Sequence, residues 1–391
     1  MSNKRLMIAG LAGAAMLASA PAWAQGSALP WGESSDQLAW EVVISVIAPA
    51  GIPGSNNVVF ETWASDQDVY VTTPAVWPPV NAPKKLQPSL LDLARMPHSQ
   101  RLTMIAPDTP CNVPNAPPGT GNFPPKPACI AEEVRRNWDS FQNIVGNNLN
   151  TTAGLAAAFN NPAPVNLPSS AVEVKADWVK ISDMLKWIPQ LKTPEQVREV
   201  YYTNVASISG IADEYALVGL AMSSKQIKDW VWMTFEHRLS PGRCDTIGCH
   251  DSFGAVKKDV APLATPNQDY GPCLKTPKLL AMLAAAGIDK VWLNYCLKGS
   301  QITFIKGATG STPTLLGNSV IERINAGVPL NQSSCITCHS YAGFNNQGQP
   351  NTGVLNAPTS PTGRNNPAFM QGVKPNDFIW GILAIPAPPK N

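Results

Sequence analysis

Thirty-eight of the 391 residues are proline, well above the usual ~5%. Each proline fixes φ and removes a backbone donor, so it interrupts helices and is kept out of central strands. Residues 74–130 are the densest such stretch and read as mostly irregular, with one short helix at 89–96. The pattern predicts a mainly α chain with extensive irregular Pro-rich loops and a few short strands.

The opening MSNKRLMIAGLAGAAMLASAPAWAQG has a short basic start at Lys4 and Arg5, an apolar core from Leu6 to Ala18, and a small-x-small site at Ala22-Trp23-Ala24. That is a secretory signal peptide of the Sec type over residues 1–24, cleaved after Ala24. The mature protein is expected to be periplasmic or secreted, with no membrane span, because no later apolar run approaches ~20 residues. Removing the leader takes away two positive charges and no acids, which brings the formal +2 to about neutral. A neutral chain gives no electrostatic reason to expect nucleic acid as a partner.

Short extended pieces are expected at 39–51 (AWEVVISVIAPAG) and 57–73, which are rich in β-branched and aromatic residues. Helical signals follow at 129–145, 193–207, 223–238, 276–287, 289–299 and 313–327. Thr193, Pro194 and Gln196 form a helix start, and Ser223 with Gln226 forms another. A strand from Trp230 is the alternative for the tail of 223–238. This divides the mature chain into an N-terminal loop-rich α/β region, 25–215, and, around Cys335-Ile-Thr-Cys338-His339, a C-terminal haem-binding region, 216–391. The soft boundary lies near 208–222.

The C-terminal assignment comes from Cys335-Ile-Thr-Cys338-His339. Two thiols one helical turn apart match the two vinyl groups of haem, and the next histidine supplies an axial nitrogen to the iron. Export fits, since this attachment is made outside the cytoplasm. A thioredoxin-like pair would open a helix within a βαβ unit, yet NAGVPLNQSS before the motif does not read as a buried strand. A zinc site would want two more ligands at suitable spacing. The expected cofactor is one covalent haem c in a cytochrome c-like region near the C-terminus, with His339 as the proximal ligand.

The motif, with WMTFEHR (232–238), NYCLKGSQ (294–301), PTLLGNSVIER (313–323), SSCITCHSYAG (333–343) and VVFETWASD (58–66), resembles a family of large exported cytochrome c family proteins. The resemblance implies a single attachment motif in the C-terminal part, and a haem protein whose biochemical role is unsettled. Unlike the small cytochromes, the motif comes late in the chain, so the pocket must borrow walls from earlier segments, such as 225–325.

His237, beside aromatic residues, and Met370 are the candidates for the sixth ligand. His98 reads as a surface residue. Cys244, Cys249 and His250 form a Cys-x4-Cys-His string, either a second haem site or two disulfide cysteines and a bystander. Six cysteines remain outside the main motif. Proximity favours Cys111–Cys129, closing a proline-rich loop, and pairing among Cys244, Cys249, Cys273 and Cys296. Two functions follow. One is electron transfer to a redox partner protein in the periplasm. The alternative is a haem enzyme, peroxidase- or oxygenase-like, with an open distal site where His237 and Glu236 act as catalytic acid and base. A sensing or purely structural haem is a third reading.

Overall fold

Strand pairing, more than helix packing, organises this chain. A computed structural model describes residues 34–88, 130–208, 210–240, 251–253, 273–306, 310–325, 328–352 and 362–386. In chain order the main elements are α1 (Ser35–Ile47), β1 (Ala64–Ser65), β2 (Gln87–Pro88), β3 (Ile130–Arg136), α2 (Trp138–Gly146) and α3 (Thr152–Asn160). Then come β4 (Val172–Lys180), α4 (Ile181–Trp187), α5 (Pro194–Val200), β5 (Thr203–Ile208), β6 (Ile211–Ser224) and β7 (Val231–His237). The last are α6 (Pro277–Ala285), β8 (Tyr295–Gln301), α7 (Cys335–Ser340), β9 (Gly343–Phe344) and β10 (Lys374–Pro375).

Eight strands form one antiparallel sheet in the order β1-β3-β4-β6-β7-β8, with β2 on β3 and β5 on β6. This overturns the mainly α expectation. β6 also runs straight through the expected boundary between 215 and 216, and strands from both sides of it share the sheet.

Local propensity misled in two directions. Residues 39–51 read as extended, yet α1 forms because Ser34 caps it, accepting the Gln37 N–H at 3.1 Å. Its apolar residues recur at helical spacing, and Leu38, Ala39, Trp40, Val42, Val43, Val46 and Ile47 are buried. Packing on the sheet, with Trp40 edge-on to Phe235 at 4.9 Å, outweighs the β-branched preference. Residues 57–73 likewise form short helical turns around the two-residue β1.

Conversely, 129–145 read as one helix because Ala, Glu and Arg are good helix formers. Residues 130–136 are β3 instead, paired along their whole length with β4, and only 138–146 are helical. The buried charges of β3 are satisfied sideways. Glu133 meets Lys84 at 3.0 Å and Arg135 at 2.7 Å, Glu132 meets Lys175 at 2.7 Å, and Arg136 meets Asp66 and, at 3.2 Å, Glu173. Of the helices expected at 193–207, 223–238 and 289–299, the first keeps only Pro194–Val200 before β5, the second is replaced by the end of β6 and by β7, and the third shortens to the turn Lys290–Asn294 before β8. The strand alternative from Trp230 is the one realised, and 276–287 is helical as expected.

Alternation along the strands gives the sheet two unlike faces. One is apolar: Val174, Ala176, Leu220, Met222, Val231, Met233 and Phe235 pack in a single core with α1. On the other, the register aligns Glu132 and Arg136 of β3, Glu173, Lys175 and Asp177 of β4, and Trp232, Thr234 and Glu236 of β7. Residues 316–325 and α7 cover this polar face. Asn318 Nδ2 reaches Thr234 Oγ1 at 3.0 Å and the Phe235 carbonyl at 2.8 Å.

Cys273 and Cys296 form a disulfide, one of the pairings open from the sequence. The expected leader, the helix expected at 89–96, His98, the expected Cys111–Cys129 pairing, and Cys244, Cys249 and His250 lie outside the described residues.

Candidate functional site

Gln301, the last residue of β8, builds the start of α7. Its side-chain amide donates to Ser334 Oγ at 2.9 Å and accepts the Ile336 N–H at 3.0 Å. Ser334 is the N-cap, accepting from the Thr337 N–H. Thr337 Oγ1 donates to the Gly363 carbonyl at 2.6 Å, and Trp380 Nε1 donates to the Cys338 carbonyl at 3.2 Å. The C-terminal segment closes over the other end through the β9–β10 pair. Gly343 permits that approach, since a Cβ there would sit 2.6 Å from the Lys374 carbonyl oxygen.

This scaffold sorts α7 into two faces. Ile336, Thr337 and Ser340 are buried, whereas Cys335, Cys338 and His339 are half-buried. Positions i, i+3 and i+4 share one helical face, so both thiols and the imidazole lie together on the open side.

His339 is held on two sides. Its ring lies 4.4 Å from that of Trp232 on the polar face of the sheet. Its Nδ1 makes a 2.8 Å hydrogen bond to the Phe378 carbonyl. A carbonyl can only accept, so Nδ1 carries the proton and Nε2 keeps its lone pair. Burial holds the imidazole down at about 4, against the pull of the Phe378 carbonyl, so it stays neutral. Burial also pushes the Cys335 thiol well above its usual range, with the Glu322 charge adding to the effect. A reactive redox thiol needs the opposite shift. The motif also follows a short helical turn at Leu330–Gln332, not the strand of a βαβ unit. The donor set therefore fits haem c: two thiols one helical turn apart for thioether bonds and a neutral imidazole with a fixed tautomer for the iron.

His237 lies on the other face of the sheet. Strand alternation puts it with Val231, Met233 and Phe235, opposite to Trp232. Its ring stacks on Tyr201 at 3.5 Å, Nε2 is 2.8 Å from the Val200 carbonyl, and Nδ1 accepts the Leu239 N–H at 3.1 Å. Both nitrogens are used in the core. We expect His237→Ala to leave the haem spectrum unchanged while lowering stability by about 2–3 kcal/mol through lost bonds and packing. A change of spin state in that variant would overturn this placement.

Glu236 does face α7's side, but it anchors the cover: it accepts the Ser319 N–H and, at 2.9 Å, the Ser319 hydroxyl. Met370 lies at the end of the short helix Pro367–Met370. It packs with Tyr341, Trp380 and Leu383, and Trp380 is the residue bonded to the Cys338 carbonyl. The Met370 Sδ lies 3.9 Å from Asn351 Nδ2, so of the two sixth-ligand candidates Met370 is the one that packs beside the end of α7, against Tyr341.

Glu322 lies in the cover at Ser319–Asn325. Burial pushes its carboxyl up to about 7 and nearby Glu236 pushes the same way, while the Asn318 N–H and Lys175 oppose both. The folded state therefore binds this proton more tightly than the unfolded chain does. The resulting stabilisation is full below the ordinary glutamate range near 4.3 and is lost as pH rises through 7. One such proton limits the slope to about 1.4 kcal/mol per pH unit. Denaturant titrations at several pH values should show that slope in the wild type and its absence in Glu322→Gln. Equal slopes would refute the assignment.

Phe378, Asp377, Gln301, Trp232 and Trp380 were not legible from the sequence as site residues. The tail NDFIWGILAIP reads only as a short apolar end. Among the described residues no helix is long and apolar enough to cross a membrane. No known protein family, curated protein or solved structure matches this chain.

Proposed function

We propose that this chain is an exported c-type haem protein that carries electrons in the periplasm. The observation behind this reading is the open face of α7, where Cys335, Cys338 and His339 lie together and the Phe378 carbonyl fixes the imidazole tautomer. Cys335 and Cys338 would hold one haem through thioethers, and His339 Nε2 would hold its iron. Haem c, when bound, supplies one-electron exchange between ferric and ferrous iron. Met370, packed against Tyr341, is the residue that would supply a second ligand to that iron. The partner in this reading is a periplasmic redox protein, and the leader at residues 1–24 provides the route of export.

A peroxidase- or oxygenase-like enzyme would need an acid–base group at an open iron position. Both groups considered from the sequence are committed elsewhere, His237 in the core beyond the sheet and Glu236 to Ser319. Carbon monoxide binding to the ferrous protein separates the two functions. A Met370-ligated carrier should resist CO, and Met370→Ala should turn high-spin and bind it readily. Ready binding by the unaltered protein would favour the enzyme.

A further inference from the structure

Non-glycine residues with positive φ are few among the described residues: Asn148, Trp230, Asp377 and Phe378. Three of these four converge at one place. Trp230 Nε1 lies 3.4 Å from Asp377 Oδ1, and Phe378 follows Asp377 in sequence. Left-handed backbone at such residues costs about 1–2 kcal/mol each, so the surroundings must impose it.

The Asp377 carboxylate is the means. Oδ1 accepts from Lys225 Nζ at 2.5 Å, and Oδ2 accepts the Leu167 N–H at 2.7 Å. The two charged side chains are only 7% and 6% exposed. Lys225 is fixed in turn by the Lys228 carbonyl at 3.0 Å. One carboxylate thus ties together the segment before β4, the β6–β7 connection and the C-terminal tail. The tail is pinned on either side, with the Asn376 N–H donating to the Ala342 carbonyl at 2.8 Å and the Ile379 N–H to the Asn376 carbonyl at 2.9 Å.

A buried ion pair is seldom the most stable filling for its space, which points to a role other than stability. We propose that the Lys225–Asp377 pair is a positioning device for His339. It holds Asp377 and Phe378 at φ 46° and 70° and so aims the Phe378 carbonyl at Nδ1. The inference rests on His339 being the axial ligand. The strength of the Nδ1–H bond sets how much electron density the imidazole gives the iron. A slack bond weakens that donation and favours the ferrous state.

The test uses Lys225→Met combined with Asp377→Leu, which fills the site with apolar side chains of similar size and avoids stranding one charge. Lys374→Met is the control, since Lys374 binds the Ala158 and Asn161 carbonyls and makes no bond to the pair. In mature full-length protein with haem retained, the double variant should shift the reduction equilibrium toward ferrous by about threefold or more, and the control should not. Nitrogen-15 NMR of the His339 ring gives an independent readout. In the reduced protein the wild type should show a hydrogen-bonded, slowly exchanging Nδ1–H, and the double variant a faster-exchanging one. An unchanged potential and unchanged Nδ1–H exchange in the double variant would overturn the proposal. If the wild type carried no haem, the functional reading would fail by itself, and the Nδ1–H exchange comparison would still decide this one.

Discussion

Replacing both motif cysteines, Cys335→Ser with Cys338→Ser, should produce a chain that loses all its haem on denaturation, where the wild type loses none. Thioether bonds survive denaturation, whereas axial coordination through His339 and packing against Trp232 do not. The readout is haem recovered by acid extraction, alongside haem staining of the denatured chain. Each single variant should keep one thioether and a shifted absorption band. The fold should tolerate the change, because these side chains lie on the half-exposed face of α7, while Ile336 and Thr337 hold the buried one. Haem retained on the denatured double variant would mean that attachment lies elsewhere in the chain.

The largest loss of stability should follow Arg136→Met. Arg136 is fully buried and binds Asp66 and Glu173. Removing it strands Asp66 and leaves Glu173 only the Ser140 hydroxyl, a change that costs about 3–5 kcal/mol from a total of roughly 5–15. The effect would reach the site. Gly381 follows Trp380, and a Cβ there would lie 2.9 Å from Arg136 Nη2 and 2.7 Å from Tyr70 Oη. Burial already pushes the Asp66 carboxyl up to about 6, although Arg136 pulls the other way. The deficit of the variant should therefore shrink as pH falls and Asp66 protonates. Urea titrations at pH 8 and pH 5 would check this. A loss below ~1 kcal/mol at pH 8 would show that the carboxylates are not desolvated.

The motif was legible because its residues are neighbours in sequence, and α7 sets Cys335, Cys338 and His339 at the i, i+3, i+4 spacing of one helical face. The sheet was hidden for a physical reason. β3, with four charges in seven residues, forms only because partners far away in sequence neutralise it: Lys84, Asp66, Glu173 and Lys175. No local window contains that information. His237 looked like a distal group because aromatic neighbours suit either a haem pocket or a core. Strand alternation decides between them, and it applies only once β7 is known to be a strand. Phe378 acts through its backbone carbonyl and Asp377 through a left-handed turn, so neither leaves a residue-type signature.

If Cys335 and Cys338 carry haem, the full chain expressed in a host that exports and attaches c-type haem should, after denaturation, have the intact mass of the chain from Gln25 plus one haem. Two haem masses would add the string at Cys244, Cys249 and His250, and a chain mass with no haem would contradict the proposed function.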